Sequence, residues 1–587
     1  MSNNSLLRIP HPASMQVWID ERSILSDVPT QYESRLDFRT GLLETNSKYD
    51  DLSVRVETIV HAQSPRVAQR VTLDSPRKRS LKIWIGVPTE LANFAGDGTA
   101  SWSDFTLECP ARRVSSGEAK SLGDPEDVSI NFRSRWSNAP KGTWSTTRTS
   151  PKSTVSGRGF MFEGELPAGS VVFETTSSVG SNGNKWFDGV VSESRAVWND
   201  RWSTDIEIDG PVEDQQAIRS ILFYLYMSPT SKMPPMALSS DKYSGHRFWD
   251  TEAWMLPAYV FIRPAAAKGA TEWRILVSDV DARIPWETGS VGDDMTPPEF
   301  REAIHISGWV SWWLDKAIAF GLVDRSAALP LIRSIAEFFR DRATDRNGQL
   351  ELLSVVSPDE GKLRDNDLVT NLLAIRSGEI LAKASGGQSP LSQELARIKI
   401  PTNRAGEPMT YDSDPVSGYQ QAAAVLSIFP LEWPFPRNVK EKLFDRYRDK
   451  ITPHGPAMSD SIHAVIAARL GRKDEAYNLW QDSWRPFVRP EFMLFSERRG
   501  TDDVYFATGA AGCLLSVLYG FLGIHIESDE GQADSASKPL LYGYRLSVRP
   551  NLPIQWKSIT LKNVRLPQGT FTIRATHDGA EILPGGE

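Results

Sequence analysis

EDQQAIRSILFYLYMS, residues 213–228, marks the point where the chain changes period, and its reading as a helix decides the fold. Upstream, from about residue 15 to 195, apolar and polar residues alternate in short runs: SVRVETIVHA (53–62), RVAQRVTL (66–73), SLKIWIGVP (80–88) and SVVFETTSS (170–178). Separated by Gly, Ser, Pro and Asn clusters, these runs predict antiparallel strands and a β-sandwich. Residues 98 to 158, rich in Ser, Gly, Thr and Trp, are expected to form long loops.

Downstream, apolar residues recur at helical spacing to about residue 525. The pattern appears in REAIHISGWVSWWLDKAIAFG (301–321), SAALPLIRSIAEFFRDRA (326–343), NDLVTNLLAIRSGEILAKA (366–384), SGYQQAAAVLSIF (417–429), VKEKLFDRYRDK (439–450), SDSIHAVIAARLG (459–471) and FATGAAGCLLSVLYGF (506–521). So many helices joined by polar, Trp-bearing loops predict paired helices in an α/α toroid, with a pocket where the loops converge. After Ser535 the strand pattern returns in LYGYRLSVRP (541–550), SITLKNVRL (558–566) and GTFTIRATH (569–577), the makings of a small β cap. The expected organisation is multidomain α+β: an N-terminal antiparallel β-sandwich over residues 1–195, a helical linker over 196–230, a helical catalytic domain over 231–530 and a β cap over 531–587.

At 587 residues the chain exceeds what one core usually supports. A net charge of −8 leaves no broad basic field, so nucleic acid is not an expected partner, and the run Pro76-Arg77-Lys78-Arg79 reads as a solvated turn. Cys109 and Cys513 lie in segments of different character, so no disulfide framework is expected. The opening MSNNSLLRIPHPAS lacks the apolar core of a secretory signal, and no window of about 18 apolar residues occurs, so a cytoplasmic location without membrane contact is expected. The eight histidines stand singly, and neither Walker nor GxGxxG spacing occurs, so neither metal nor nucleotide cofactor is called for.

The chemistry is carried by Ser357-Pro358-Asp359-Glu360 together with the distant Ser496-Glu497. Two carboxylates on separate helical segments, bordered by turn residues and aromatics, are what glycosidic-bond hydrolysis with inversion requires, with a separation of about 6.5–9.5 Å that leaves room for a water. Nineteen tryptophans make the chain aromatic-rich, and Trp249, Trp286 and Trp484 fall in polar contexts. Sugars offer flat C–H faces and a hydroxyl rim, so aromatic platforms beside carboxylates and amides suit them, whereas core or lid packing is the commoner role for any one such Trp.

GHRFWDTEAWMLP (245–257), ARIPWETGSVGDD (282–294), EAIHISGWV (302–310), VVSPDEGKLRDNDLVTNLLA (355–374), GPAMSDSIHAVIAARLG (455–471) and FSERRGTDDVYFATGAAGCLL (495–515) follow the order and spacing of motifs in glycoside hydrolase family 65. The chain resembles that family from about residue 190 to 580, and its hydrolytic branch above all. Members are inverting α-glucoside phosphorylases and hydrolases, so the resemblance implies an N-terminal β-sandwich, a linker, an (α/α)6 barrel and a C-terminal cap. It implies Glu360 as general acid and Glu497 as general base. Asp250 would grip sugar hydroxyls, with Trp249, Arg247, Trp286, Glu287, His305, Gln420 and Gln421 as further substrate contacts. An Asp before Thr-Glu-Ala-Trp-Met would also cap a helix, the competing role for Asp250.

The expected partner is a small glycoside or oligosaccharide, without cofactor, and a homo-oligomer is compatible with the sequence. Phosphorolysis is the nearest alternative, since Ser459 and Ser461 are of the type that binds an anion. A carbohydrate-binding protein with altered catalysis is another, because the sequence departs from the family beside the acid. The family's Tyr there is Gly361, its second Asn is Asp367, and its Lys-Gln pair reads Gln420-Gln421. A neutral amide replaces a charged donor to sugar hydroxyls.

Overall fold

The protein is represented by a computed structural model that describes residues 6–8, 14–24, 27–87, 93–98, 102–115, 118–121, 126–137, 140–148, 158–179, 185–237, 239–240, 242–278, 283–289, 291–387, 389–421, 423–529 and 537–585. It divides into two compact units, Leu6–Trp202 and Ser203–Glu587, the latter with Met1–Ser5 assigned to it.

In the first unit two antiparallel sheets share one core. Gly169–Val179, Arg66–Ser75, Leu52–Val60, Leu42–Tyr49 and Gln31–Asp37 are successive neighbours in the larger sheet, and Arg79–Val87 lies between Arg158–Leu166 and Ser14–Ile19 in the smaller. Alternation explains the core: Leu81, Ile83 and Ile85 on the smaller sheet meet Val71, Leu73 and Phe173 of the larger. The stretch expected as long loops instead contains the strands Trp102–Ser115, Glu126–Ser137 and Lys141–Arg148. Ser and Thr suit a strand's solvent face, so their abundance there does not by itself signal a loop.

The helices of the second unit are of two kinds. His305–Ala319, Leu368–Ala384 and Ala507–Leu515 are buried over most or all of their circumference. Arg325–Arg342, which packs on His305–Ala319 and Leu368–Ala384, is amphipathic, burying Ala328, Leu331, Ile332, Ile335, Ala336 and Phe339 at helical spacing. Removing one such ring, as in Phe339→Ala, would cost about 3–5 kcal/mol. Pairs close in sequence pack together: Leu256–Ile262 with Pro264–Val277, and Ser459–Arg469 with Lys473–Trp484.

The C-terminal strands belong to this same unit. Ser558–Leu566 pairs with Gly569–Thr576 on one side and with Ile206–Asp209 on the other. Beside this sheet the buried carboxylate of Asp214 accepts hydrogen bonds from Tyr477 (2.8 Å), Gln481 (2.7 Å) and the Trp556 indole (2.8 Å), joining three distant parts of the sequence. Among the described residues no helix is long and apolar enough to cross a membrane.

Candidate active site

A cavity of about 320 Å³ opens among the loops of the helical unit. Its wall gathers the carboxylates of Asp250, Glu360 and Glu497, the rings of Tyr243, Phe248, Trp249 and Trp286, and the amides of Gln420 and Gln421. His454 and Arg498 add basic groups to the same wall. Charged and amide groups set among aromatic faces suit a polyhydroxylated ligand.

Glu360 stands on a tight turn between the short paired strands Val355–Val356 and Leu363–Arg364. Both it and Glu497 lie in loops, which corrects the expectation of helical segments: Pro358 disfavours helix before it, and Glu360 and Gly361 take left-handed backbone (φ 59° and 92°) that ends any helical run. The turn is tied from several sides. The Glu360 N–H donates to the Ser357 carbonyl (2.8 Å), the Ser357 hydroxyl donates to Asp367 (2.7 Å), and Asp359 accepts from the Gln420 N–H (2.6 Å). Burial, reinforced by Asp250, Asp359 and Glu497, pushes the Glu360 carboxyl up to about 7. The Trp286 indole N–H opposes that rise although it stops short of hydrogen-bond geometry.

Glu497 follows the short strand Leu494–Phe495 and is 4% exposed. One carboxylate oxygen pairs with the Lys242 ammonium, and the other accepts the Tyr243 hydroxyl at 2.6 Å. Lys242 also reaches Asp503 at 3.2 Å. Burial and the neighbouring Glu497 raise the Tyr243 phenol well above its ordinary range, so it stays a donor.

Asp250 makes no capping bond to the helix that follows it, which removes the competing structural role. Its carboxylate accepts the Thr508 hydroxyl at 2.8 Å, and burial, opposed by that bond and assisted by Glu497, lifts it to about 6. Trp249 packs edge-on against Trp254 and stacks near Trp309, while Trp286 stacks on Phe300 with centroids 4.2 Å apart, so each is braced from behind.

Three residues expected to touch substrate are not among those lining the cavity. Arg247 is fully buried and shares Glu252 with Arg274, at 2.8 and 2.9 Å. Glu287 pairs with His246 at 2.7 Å, both buried. His305 lies edge-on to Trp249, and burial lowers it to about 3, leaving it neutral. All three are buried outside the cavity lining: Arg247 and Glu287 on the segments that carry Trp249 and Trp286, and His305 at the start of the helix His305–Ala319. Ser459 and Ser461 donate their hydroxyls to the carbonyls of Gln420 (2.7 Å) and Met458 (2.9 Å), and neither lines the cavity. Trp484 ends the helix Lys473–Trp484 and packs on Trp480, a core position and not a loop platform.

Sequence reasoning missed Lys242, Tyr243, Phe248, His454 and Arg498. Signals existed for some: Tyr243 and Phe248 flank the Gly-His-Arg of the motif that ends in Trp249-Asp250, and Arg498 adjoins Glu497. Nothing local linked Lys242 to a carboxylate 255 residues away.

Residues 221–384 match the glycosyl hydrolase family 65 central catalytic domain. A kojibiose hydrolase from Flavobacterium johnsoniae is 31% identical over 411 residues, which cover 64% of this chain and 58% of that protein. A protein-glucosylgalactosylhydroxylysine glucosidase from Danio rerio is 26% identical over 414 residues, 62% of this chain and 60% of that one. The chain thus spans less than two thirds of the length of these curated relatives. Among solved structures, a candidate kojibiose phosphorylase from human microbiome aligns with a TM-score of 0.70 over 97% of this chain and 84% of that one; at 14% identity this is a likeness of fold.

Proposed function

We propose that this chain, whose residues 221–384 are a glycosyl hydrolase family 65 central catalytic domain, hydrolyses an α-glycoside, an α-glucoside foremost, with inversion at the anomeric carbon. The observation that carries the proposal is the unequal treatment of two carboxyls in one cavity. Glu360 is held up to about 7 with no cation among the described residues bonded to it, whereas Glu497 is bonded by an ammonium and a phenol. Environments that differ in this way assign an acid and a base.

In this mechanism Asp250 and Gln421 hold the sugar's hydroxyls, and the aromatic wall of Trp249 and Trp286 packs its C–H faces. Glu360 donates its proton to the departing glycosidic oxygen as the C–O bond breaks. Glu497 takes a proton from a water that attacks the opposite face, and the sugar leaves with inverted configuration. We read the alternation of fully buried and amphipathic helices as an (α/α)6 barrel with a β-sandwich before it and a β cap after it, an arrangement the fold likeness supports.

Phosphorolysis is the second reading, favoured by His454 and Arg498, which could receive a phosphate at the cavity wall. Against it stand the hydroxyls of Ser459 and Ser461, each already donating to a carbonyl. The deciding experiment offers a panel of α-linked disaccharides, kojibiose included, with and without inorganic phosphate, and follows the released anomer by proton NMR. Initial β-sugar in phosphate-free buffer is expected. Initial α-sugar would overturn inversion on an α-linkage, and strict phosphate dependence would assign a phosphorylase.

A further inference from the structure

The three carboxylates of the cavity do not share their surroundings equally. Asp250 accepts a neutral hydroxyl from Thr508. Among the described residues Glu360 has no cation paired with it, and the Trp286 indole N–H is the donor that acts on it. Glu497 alone bonds a cation, and that cation comes from neither neighbouring motif but from Lys242, on a turn where Tyr243 and Ser244 take left-handed backbone (φ 60° and 50°). The conformation matters because it sets two successive side chains on the same carboxylate: Lys242 on one oxygen and Tyr243 on the other. A non-glycine residue in that region is strained, and two in succession persist only where other contacts hold them.

We infer that Lys242 is a positioning residue that holds the Glu497 carboxylate in its orientation through a direct ion pair, and that its charge shapes the acidic limb of activity. The inference deepens the assignment of Glu497 as base and rests on it. Asp250 and Glu360 face it across the cavity and disfavour a further negative charge. Tyr243 bonds it, Arg498 adjoins it in sequence, and His454 lines the same wall. Asp503 lies beyond, sharing the Lys242 ammonium at 3.2 Å, while its carbonyl receives the Glu497 N–H at 3.0 Å. Two nearby carboxyls and little solvent act together against a carboxylate, and an ammonium in contact opposes them. Among the described residues, Lys242 supplies the counter-charge in direct contact with this group of carboxyls. Asp503 divides the charge of Lys242 and moderates its hold on Glu497.

The test is the pH profile of kcat/KM for the preferred α-disaccharide in the full-length wild type, Lys242→Met, Lys242→Arg and Asp503→Asn, with Glu497→Gln as reference. Without the cation the base accepts a proton more readily, so the acidic limb of Lys242→Met should move to higher pH. At pH 5 kcat/KM should fall at least tenfold, chiefly through kcat, with KM within threefold. Lys242→Arg should bring the limb most of the way back. In Asp503→Asn the ammonium serves Glu497 alone, so the limb should move to lower pH, and this variant keeps the inference testable should Lys242→Met fail to fold. Wild-type limbs in the lysine and aspartate variants, with Glu497→Gln inactive, would overturn the role of Lys242 and leave the base in place. Activity retained by Glu497→Gln would instead overturn the base assignment itself.

Discussion

The hydroxyl of Thr508 donates to Oδ2 of Asp250 over 2.8 Å, bonding a carboxylate of the cavity to a helix residue 258 positions further along the chain. That helix, Ala507–Leu515, is buried throughout, so the donor cannot drift and the carboxylate is aimed by the packed interior.

Thr508→Val keeps the shape and removes the donor. Asp250 then loses the bond that opposes its burial, and its carboxyl rises further above 6. A single lost bond to a charged group is worth about 1.5–3 kcal/mol, so kcat/KM should fall by about 10- to 100-fold at pH 6, as steady-state kinetics would register. Unchanged kinetics would show that Asp250 does not hold substrate.

Glu360→Gln should lower kcat on natural disaccharides by about 10²–10⁴-fold. On an α-glucosyl fluoride, whose leaving group needs no proton, the loss should nearly vanish. Glu497→Gln should be inactive on both. Comparing the two substrates separates acid from base, and equal losses in Glu360→Gln on both would remove it from the acid's role.

On the proposed mechanism, the proton held by Glu360 fixes the alkaline side of the profile. With its carboxyl at about 7, the acid is protonated below that pH and lost above it, so kcat/KM should decline as pH rises through about 7. Trp286→Phe retains the stacking on Phe300 but removes the indole N–H that lowers Glu360, so the limb should move to higher pH. A downward movement would contradict that role for Trp286.

Asp214→Ala leaves Tyr477, Gln481 and Trp556 without their common acceptor in a dry interior. The helical unit should lose roughly 3–5 kcal/mol, measured by denaturant unfolding, while kcat per folded molecule stays as it was. A loss below about 1 kcal/mol would mean that water replaces the carboxylate.

Much of this was legible in the chain. Strand and helix regimes change near EDQQAIRSILFYLYMS because burial imposes a period of two on one and 3.6 on the other, and the helix Val212–Met227 begins there. Asp250, Glu360, Glu497, Trp249, Trp286, Gln420 and Gln421 do meet in one cavity. What escaped was decided by geometry without a local signature. Arg247, Glu287 and His305 sit in the same motifs yet face away, toward Glu252, His246 and Trp249. The strands between residues 98 and 158 were hidden by polar composition, and Lys242 by distance along the chain.

The turn that carries the acid has a bearing on how this site can be changed. Gly361 has φ 92° and open space where a side chain would begin, so room is available for a bulky neighbour of Glu360 but chirality resists it. A Tyr introduced there would meet no neighbour within contact of its first carbon and would still cost about 1–2 kcal/mol in backbone conformation. Mutational routes toward a new acceptor preference are therefore steered away from position 361 and toward His454 and Arg498, exposed residues of the cavity wall on ordinary backbone. A saturation library restricted to those two positions would explore leaving-group selectivity while leaving the proton donor's perch untouched.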